Sequence, residues 1–150
     1  MKVDYFTIPE ITVSYKNNVK ASERAVIHRS ADAAKIFAEA CKDCMQHHEE
    51  VYVMFLNKAN RVLGISNVFK GGMAGAMIDI KIILQIALKV SASAIVLSHN
   101  HPSGNTKPSG HDISMTEALQ KGCQAVDIKL LDHVIVTDEA FTSFADSGLL

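Results

Sequence analysis

The stretch AIVLSHNHPSGNTKPSGHD, residues 94–112, decides the fold expected for this chain. Residues 94–98 form a short apolar run that is typical of a buried strand. The proline-, serine- and glycine-rich residues that follow predict a loop. A helix is predicted from about Gly110 to Gln124, so the stretch is interpreted as strand, loop and helix in succession.

The flanking sequence predicts a mixed β-sheet covered by helices, which is an α/β fold. Apolar residues spaced three and four apart predict a helix that begins with Ser30 as N-cap and includes Cys44. Residues 51–56 are apolar on both faces and predict a buried strand, which pairs through a tight turn with a strand at 62–69 ended by Gly71 and Gly72. The remaining predicted elements are a helix at 78–90 and strands at 10–14, 24–28 and 128–137. We expect one domain over residues 1–150, with a short strand region at about 1–29.

Composition excludes several classes of protein. The 150 residues carry 15 Lys and Arg against 16 Asp and Glu, a net charge of -1, and 48% are hydrophobic, as in one globular domain. The near-neutral charge argues against generic binding of nucleic acid. The apolar runs are far shorter than the roughly 20 residues that span a bilayer, and no signal peptide is evident. Three cysteines, which cannot all pair, indicate free thiols. We expect a cytoplasmic protein with no membrane partner.

Two histidines and an aspartate in the quoted stretch predict a metal site. His99 and His101 are two residues apart at a strand end, so their imidazoles would point to the same side. Asp112, in the first turn of the next helix, could supply a third ligand. Such a set suits Zn²⁺ and leaves a fourth tetrahedral position open, as in catalytic zinc sites. Alternatively, Ser109 and Asp112 form a capping box without a metal, and His111 is another possible ligand.

A hydrolytic zinc site also needs a base, and the predicted one is Glu50. This residue precedes the buried strand at 51–56, and it would share a sheet end with the histidines if that strand lies beside residues 94–98. Glu49 is its direct competitor, and the alternative interpretation of Glu50 is a solvated charge at a helix end. His133 is interpreted either as a support for the site or as a satisfied histidine at a strand start.

Other metal motifs are incomplete. Cys41 and Cys44 form C-x-x-C, but a Cys₄ zinc site would need a fourth cysteine, so they are interpreted as small core residues one helical turn apart. The run at 47–50 resembles the start of H-E-x-x-H, but position 52 is Tyr52.

The pattern His99-x-His101-x₇-Ser109-x₂-Asp112 resembles the JAMM motif of MPN⁺ (JAB-type) metallopeptidases, and its HNHPSG form is similar to bacterial RadC-like proteins. The likeness runs from about Ser30 to Leu150 and includes EVYV (50–53), IVLS (95–98) and LDHVIV (131–136). The resemblance implies a JAB/MPN fold of cytidine deaminase-like architecture. It also implies Zn²⁺ bound by His99, His101 and Asp112, with Glu50 as general acid/base and Ser109 stabilising the oxyanion.

The implied function is a zinc-dependent metallopeptidase acting on a peptide, isopeptide or related amide bond of a peptide or protein substrate. The alternative is a non-catalytic module with a structural zinc, associated with DNA repair by family label or bound to a partner. Deamination would require H-x-E and P-C-x-x-C, whereas Ala40 precedes Cys41 here. RadC-like chains usually carry a helix-hairpin-helix region, which we expect to be absent. Substrate identity and oligomeric state stay open.

Overall fold

The computed structural model describes residues 8–71 and 75–150, in which five strands form one sheet and three α-helices cover it. The strands are β1 (Glu50–Leu56), β2 (Val62–Lys70), β3 (Ala94–Asn100), β4 (Lys129–Val136) and β5 (Phe141–Ser143). The helices are α1 (Ser30–Ala40), α2 (Ile80–Lys89) and α3 (Gly110–Ala125), preceded by a 3₁₀ helix at Ala21–Glu23. Residues 1–7, within the predicted N-terminal strand region, and Gly72, predicted to end β2, lie outside the described residues.

The sheet has the order β2-β1-β3-β4-β5, and of its four pairings β3 with β4 is parallel while the others are antiparallel. It separates two hydrophobic cores. On one face, Phe37 of α1 belongs to the same core as Met54 and Val96. On the other face, α2 and α3 contribute to a core that contains Leu119 and Leu97. Strands buried on both faces are mostly apolar, which is why residues 51–56 and 94–98 are recognisable as strands in the sequence. The predicted mixed α/β fold is confirmed.

The strand register brings the candidate site residues to one end of the sheet. In the antiparallel pairing of β1 with β3, Val51 lies opposite His99. In the parallel pairing of β3 with β4, Leu97 lies opposite His133. The first residues of β1 and the last residues of β3 therefore meet at the same edge.

The N-terminal strands are corrected. Residues 10–14 form no strand in the described part of the chain, and 24–28 contribute a single bridge between Val26 and Arg61. Side chains attach this segment to β2: the Tyr15 hydroxyl and the Asn17 amide donate to the carbonyl oxygen of Leu63 at 2.8 and 3.1 Å. Tyr15 and Asn17 are thus attached to β2 by their side chains, and the predicted strand at 10–14 does not form.

The limits of α1 are corrected at both ends. The helix begins at Ser30 with Arg29 as N-cap, because the Asp32 carboxylate accepts from the backbone N–H groups of His28 and Arg29 at 3.0 and 3.1 Å. It ends at Ala40, so the chain is already in turns at Cys44. Strand β5 was not predicted, while α2 and β4 fall within their predicted ranges. Among the described residues, no helix is long and apolar enough to cross a membrane.

Candidate metal centre

The structure brings His99, His101 and Asp112 together at the edge of the sheet, with one ligand atom from each within 4.8 Å of the others. The two Nε2 atoms are 2.8 Å apart, His99 Nε2 is 3.2 Å from Asp112 Oδ1, and His101 Nε2 is 3.5 Å from Asp112 Oδ2. Tetrahedral ligands about 2.0 Å from a zinc ion are separated by roughly 3.3 Å. The three side chains therefore already present ligand atoms at approximately the spacing that zinc requires.

The hydrogen bonds around His99 fit a tautomer that presents a bare nitrogen to this site. The Thr116 hydroxyl donates to the carbonyl oxygen of Asp112 at 2.7 Å, so its oxygen accepts from His133 Nδ1–H at 2.6 Å. Burial lowers the pKa of His133 well below its usual value and thereby favours a neutral ring. His133 Nε2 then accepts from His99 Nδ1–H at 2.8 Å, which leaves Nε2 of His99 without a hydrogen.

His101 is oriented in the same way by a backbone group. Its Nδ1–H donates to the carbonyl oxygen of Asn105 at 2.6 Å, which leaves Nε2 to face Nε2 of His99. Two nitrogen lone pairs at that distance repel unless a proton or a metal ion lies between them. The hydrogen bond with Asp112 raises the pKa of His101 against the opposing effect of burial, so a proton can hold the metal-free site together. The donor set therefore fits a divalent metal ion.

The loop and helix after β3 bring Asp112 to the histidines. The loop turns at Gly104, whose φ of 79° favours glycine and whose N–H donates to the His101 carbonyl oxygen at 3.0 Å. Ser109 Oγ accepts from the Asp112 N–H at 3.1 Å, while Asp112 Oδ2 accepts from the Ser109 N–H at 2.7 Å. The capping box and the convergence on the histidines thus coexist. Burial alone would raise the pKa of Asp112, but its contacts with the His101 and His99 rings and with the Ser109 N–H outweigh burial and lower the pKa.

The position expected for Glu50 is corrected, because its side chain lies on the opposite face of the sheet from the histidine pair. The next residue along β1 lies opposite His99 and shares its face, and successive strand residues alternate. The Glu50 carboxylate instead pairs with His48 Nε2 at 2.8 Å, accepts from the Tyr52 hydroxyl at 2.9 Å, and accepts from the Asn67 amide. Glu50 shares the sheet end with the histidines but does not face them.

Glu49, the competitor of Glu50, lies on the side of the histidines. It lines a pocket of about 360 Å³ together with His101, Ser109 and Asp112. The pKa of His101 is raised first by the hydrogen bond with Asp112 and, to a smaller extent, by the negative charge of Glu49. An acidic group therefore lines the same open pocket as His101 and Asp112, two of the three clustered ligands.

A family model described as the RadC-like JAB domain matches residues 27–149 of this chain. The chain belongs to the RadC-like JAB domain family. Curated relatives named UPF0758 protein include those of Flavobacterium johnsoniae, 38% identical over 102 residues, Porphyromonas gingivalis, 41% over 103 residues, and Xylella fastidiosa, 33% over 126 residues. These alignments cover 68%, 68% and 84% of this chain. They cover 44%, 45% and 55% of the relatives, so the chain spans about half their length.

Two residues support the metal centre of this RadC-like JAB domain. The sequence allows two interpretations of one, His133, and gives no indication of the other, Thr116. His133 is a fully buried support of His99, which decides between its two interpretations, and Thr116 gives no sequence signal because the pattern ends at Asp112. His111 stands in the first turn of α3, where its Nε2 pairs with the Ala76 carbonyl oxygen at 2.7 Å.

The residue between the two histidines of the RadC-like JAB domain has a separate structural role. Asn100 Oδ1 accepts from the Glu50 N–H at 2.8 Å, and its amide donates to the carbonyl oxygen of His48 at 2.9 Å. Asn100 thereby fixes the chain on both sides of Glu49. The asparagine between the two histidines of the motif indicates this role, because a fully buried asparagine requires several hydrogen-bond partners.

Proposed function

We propose that this RadC-like JAB domain is a zinc-dependent hydrolase of a peptide, isopeptide or related amide bond. His99, His101 and Asp112 would hold the ion, Glu49 would carry the proton, and Ser109 would support the oxyanion. The observation that carries the proposal is the convergence of His99 Nε2 and His101 Nε2, 2.8 Å apart and beside Asp112, next to a pocket that His101, Asp112 and Glu49 line.

When bound, zinc supplies a Lewis acid that polarises a carbonyl group and lowers the pKa of water. The protein ligands stay in place during the reaction because each has a fixed second contact. His99 is held by His133, His101 by the Asn105 carbonyl oxygen, and Asp112 by the Ser109 N–H. Such outer contacts orient the ligands and preserve the correct tautomers.

Glu49 is assigned the proton transfer because a general base must reach the water and afterwards the leaving amine. Its place in the wall of the open pocket gives its carboxylate access to both. Ser109 uses its oxygen to accept from Asp112 N–H, which leaves the hydroxyl hydrogen free to donate to a developing oxyanion in the same pocket.

The test compares zinc-loaded and metal-free protein on a panel of peptides, branched isopeptides and small amides, with products identified by mass spectrometry. We expect hydrolysis only with zinc. Glu49→Gln should keep the bound zinc and lose about 100-fold or more of the rate, the usual contribution of a general acid–base group.

The matched control is Glu50→Gln, an identical change at the next residue but on the other face of the sheet, and it should retain hydrolysis. Loss of hydrolysis in Glu50→Gln with retention in Glu49→Gln would overturn the assignment of the base. A zinc-loaded protein inert towards the whole panel would instead support the non-catalytic module. Its DNA-binding form is then tested by gel shift at physiological salt, where the near-neutral charge predicts weak binding.

A further inference from the structure

A second group of metal-binding side chains lies on the opposite face of the sheet from the candidate centre. Cys44, His48 and Glu50 each present one ligand atom within 4.8 Å of the other two. Glu50 and Cys44 are 7% and 5% exposed, while His48 is half-buried. The group is therefore enclosed by protein except on the side of His48. The proposed hydrolysis uses none of these residues.

The backbone that carries this group is held by Asn100 of β3. The Asn100 amide donates to the carbonyl oxygens of Cys44, Met45 and His48 at 3.3, 3.2 and 2.9 Å, and its Oδ1 accepts from the Glu50 N–H. A buried asparagine in the middle of the sheet thus fixes the turn after α1 against the first residue of β1. The three ligands are positioned by the packed fold and not by a free surface loop.

Hydrogen bonds from His48, Tyr52 and Asn67 and the more distant charge of Lys70 stabilise the Glu50 carboxylate against burial. The Tyr52 hydroxyl has a single hydrogen but two acceptors, Glu50 Oε2 at 2.9 Å and the Ala40 carbonyl oxygen at 3.1 Å. Among the described residues, the only cationic side chain within 4.0 Å of the carboxylate is His48, which is charged only when protonated. A divalent cation bound beside this largely buried carboxylate would add a close and permanent counter-charge, which the hydrogen-bond donors do not supply.

We propose that Cys44, His48 and Glu50 form a second metal site for a divalent ion of the zinc type, with a fourth position open beside His48. On binding, Cys44 loses its thiol proton to solvent, and its thiolate and the Glu50 carboxylate together balance the two positive charges. The His48 ring binds through Nε2 in its Nδ1–H form, and that N–H donates to His47 Nδ1, which lies 2.8 Å away. A thiolate ligand selects zinc or a similar ion over Mg²⁺ or Ca²⁺.

The experiment is a titration of chelator-stripped full chain with Co²⁺ and Zn²⁺ under reducing conditions. Cobalt bound to a thiolate gives a sulfur-to-metal charge-transfer band in the near ultraviolet, whereas the His99, His101 and Asp112 centre contains no sulfur. We expect two equivalents of metal per chain and a charge-transfer band. Binding of a single equivalent without the band would overturn the proposal.

Variants assign the two equivalents to the two faces of the sheet. Cys44→Ser and His48→Gln should each bind one equivalent of metal, and Cys44→Ser should also lose the charge-transfer band. His99→Gln should likewise bind one equivalent but keep the charge-transfer band. Cys123→Ser is the matched control, a buried cysteine on the other face, and should keep both equivalents. Circular dichroism establishes whether each variant folds. If Cys44→Ser does not fold, His48→Gln still tests the site, because His48 is partly exposed and its replacement disturbs the core less. A band that survives Cys44→Ser, or a second equivalent that survives both Cys44→Ser and His48→Gln, would contradict the assignment.

Discussion

At the scale of single residues, the ring nitrogen of His99 that carries the hydrogen decides whether the candidate centre can bind a metal. Thr116 orients His133, and His133 orients His99, so that Nε2 of His99 is bare towards His101. Thr116 of α3, His133 of β4 and His99 of β3 thereby share one arrangement of ring and hydroxyl hydrogens. The metal site consequently depends on residues that bind no metal.

His133→Phe tests this dependence. Phenylalanine has the bulk to fill the buried position but cannot accept from His99 Nδ1–H, so the His99 ring loses its fixed orientation. We expect zinc affinity to fall about 10- to 100-fold, the usual cost of removing such an outer contact. The measurement is competition with a chromophoric chelator. Thr116→Val, which removes only the far end of the chain of hydrogen bonds, should have a smaller effect, and unchanged affinity in His133→Phe would contradict the proposed role.

The sequence could specify which residues approach the metal but not which acidic neighbour faces it. The spacing of His99, His101 and Asp112 needs only a strand, a loop and a helix start, all of which local sequence indicates. Glu49 and Glu50 are adjacent, and a shift of one residue exchanges the faces of a strand. The choice between them depends on the register of β1 with β3, which is a long-range property.

At the scale of secondary-structure elements, the start of α3 both ends a loop and holds the metal-binding carboxylate. The capping box between Ser109 and Asp112 is local, and for that reason it was recognisable from four residues. The N-terminal segment and β5 were not predictable in the same way. Their structure depends on β2 and β4, to which they are attached.

Ser109→Ala separates the capping role of Ser109 from its proposed chemical role. Alanine cannot accept from the Asp112 N–H, so we expect the free energy of unfolding to fall by about 1 kcal/mol. Ser109→Thr keeps the hydroxyl and should restore most of this stability. Urea unfolding of the metal-free protein measures both variants. Equal stability of Ser109→Ala and the unmodified chain would show that the cap contributes nothing to α3.

At the scale of the whole molecule, protons and metal compete for the same centre, and stability should depend on pH accordingly. The pKa of His101 is raised above its ordinary value of 6.5 in the folded state, mainly by Asp112. Its contribution to stability is therefore full below about pH 6.5 and is lost as pH rises through the raised pKa. Zinc must displace this proton, so stabilisation by zinc should increase over the same range.

Urea unfolding with chelator and with zinc measures these opposite trends, at pH values that start below the ordinary pKa of 6.5 and rise through the raised pKa of His101. His101→Gln has no titrating ring at this position, and in chelator its stability should vary less with pH than that of the unmodified chain. Identical pH profiles for the two proteins would exclude His101 as the group responsible.

The two cores share one sheet, and their buried cysteines report whether they unfold together. Cys41 belongs to the α1 core and Cys123 to the α2 and α3 core, and neither is exposed. Burial and, to a smaller extent, the neighbouring Cys44 raise the pKa of the Cys41 thiol to about 12. Burial raises the pKa of the Cys123 thiol to about 11. Because thiolates are the reactive species, neither residue should be alkylated in the native protein.

With rising urea, we expect both cysteines to become labelled at the unfolding midpoint seen by circular dichroism, since β1 and β3 contribute to both cores. Labelling of Cys123 at a lower urea concentration than Cys41, measured by mass spectrometry, would show instead that α2 and α3 leave the sheet first.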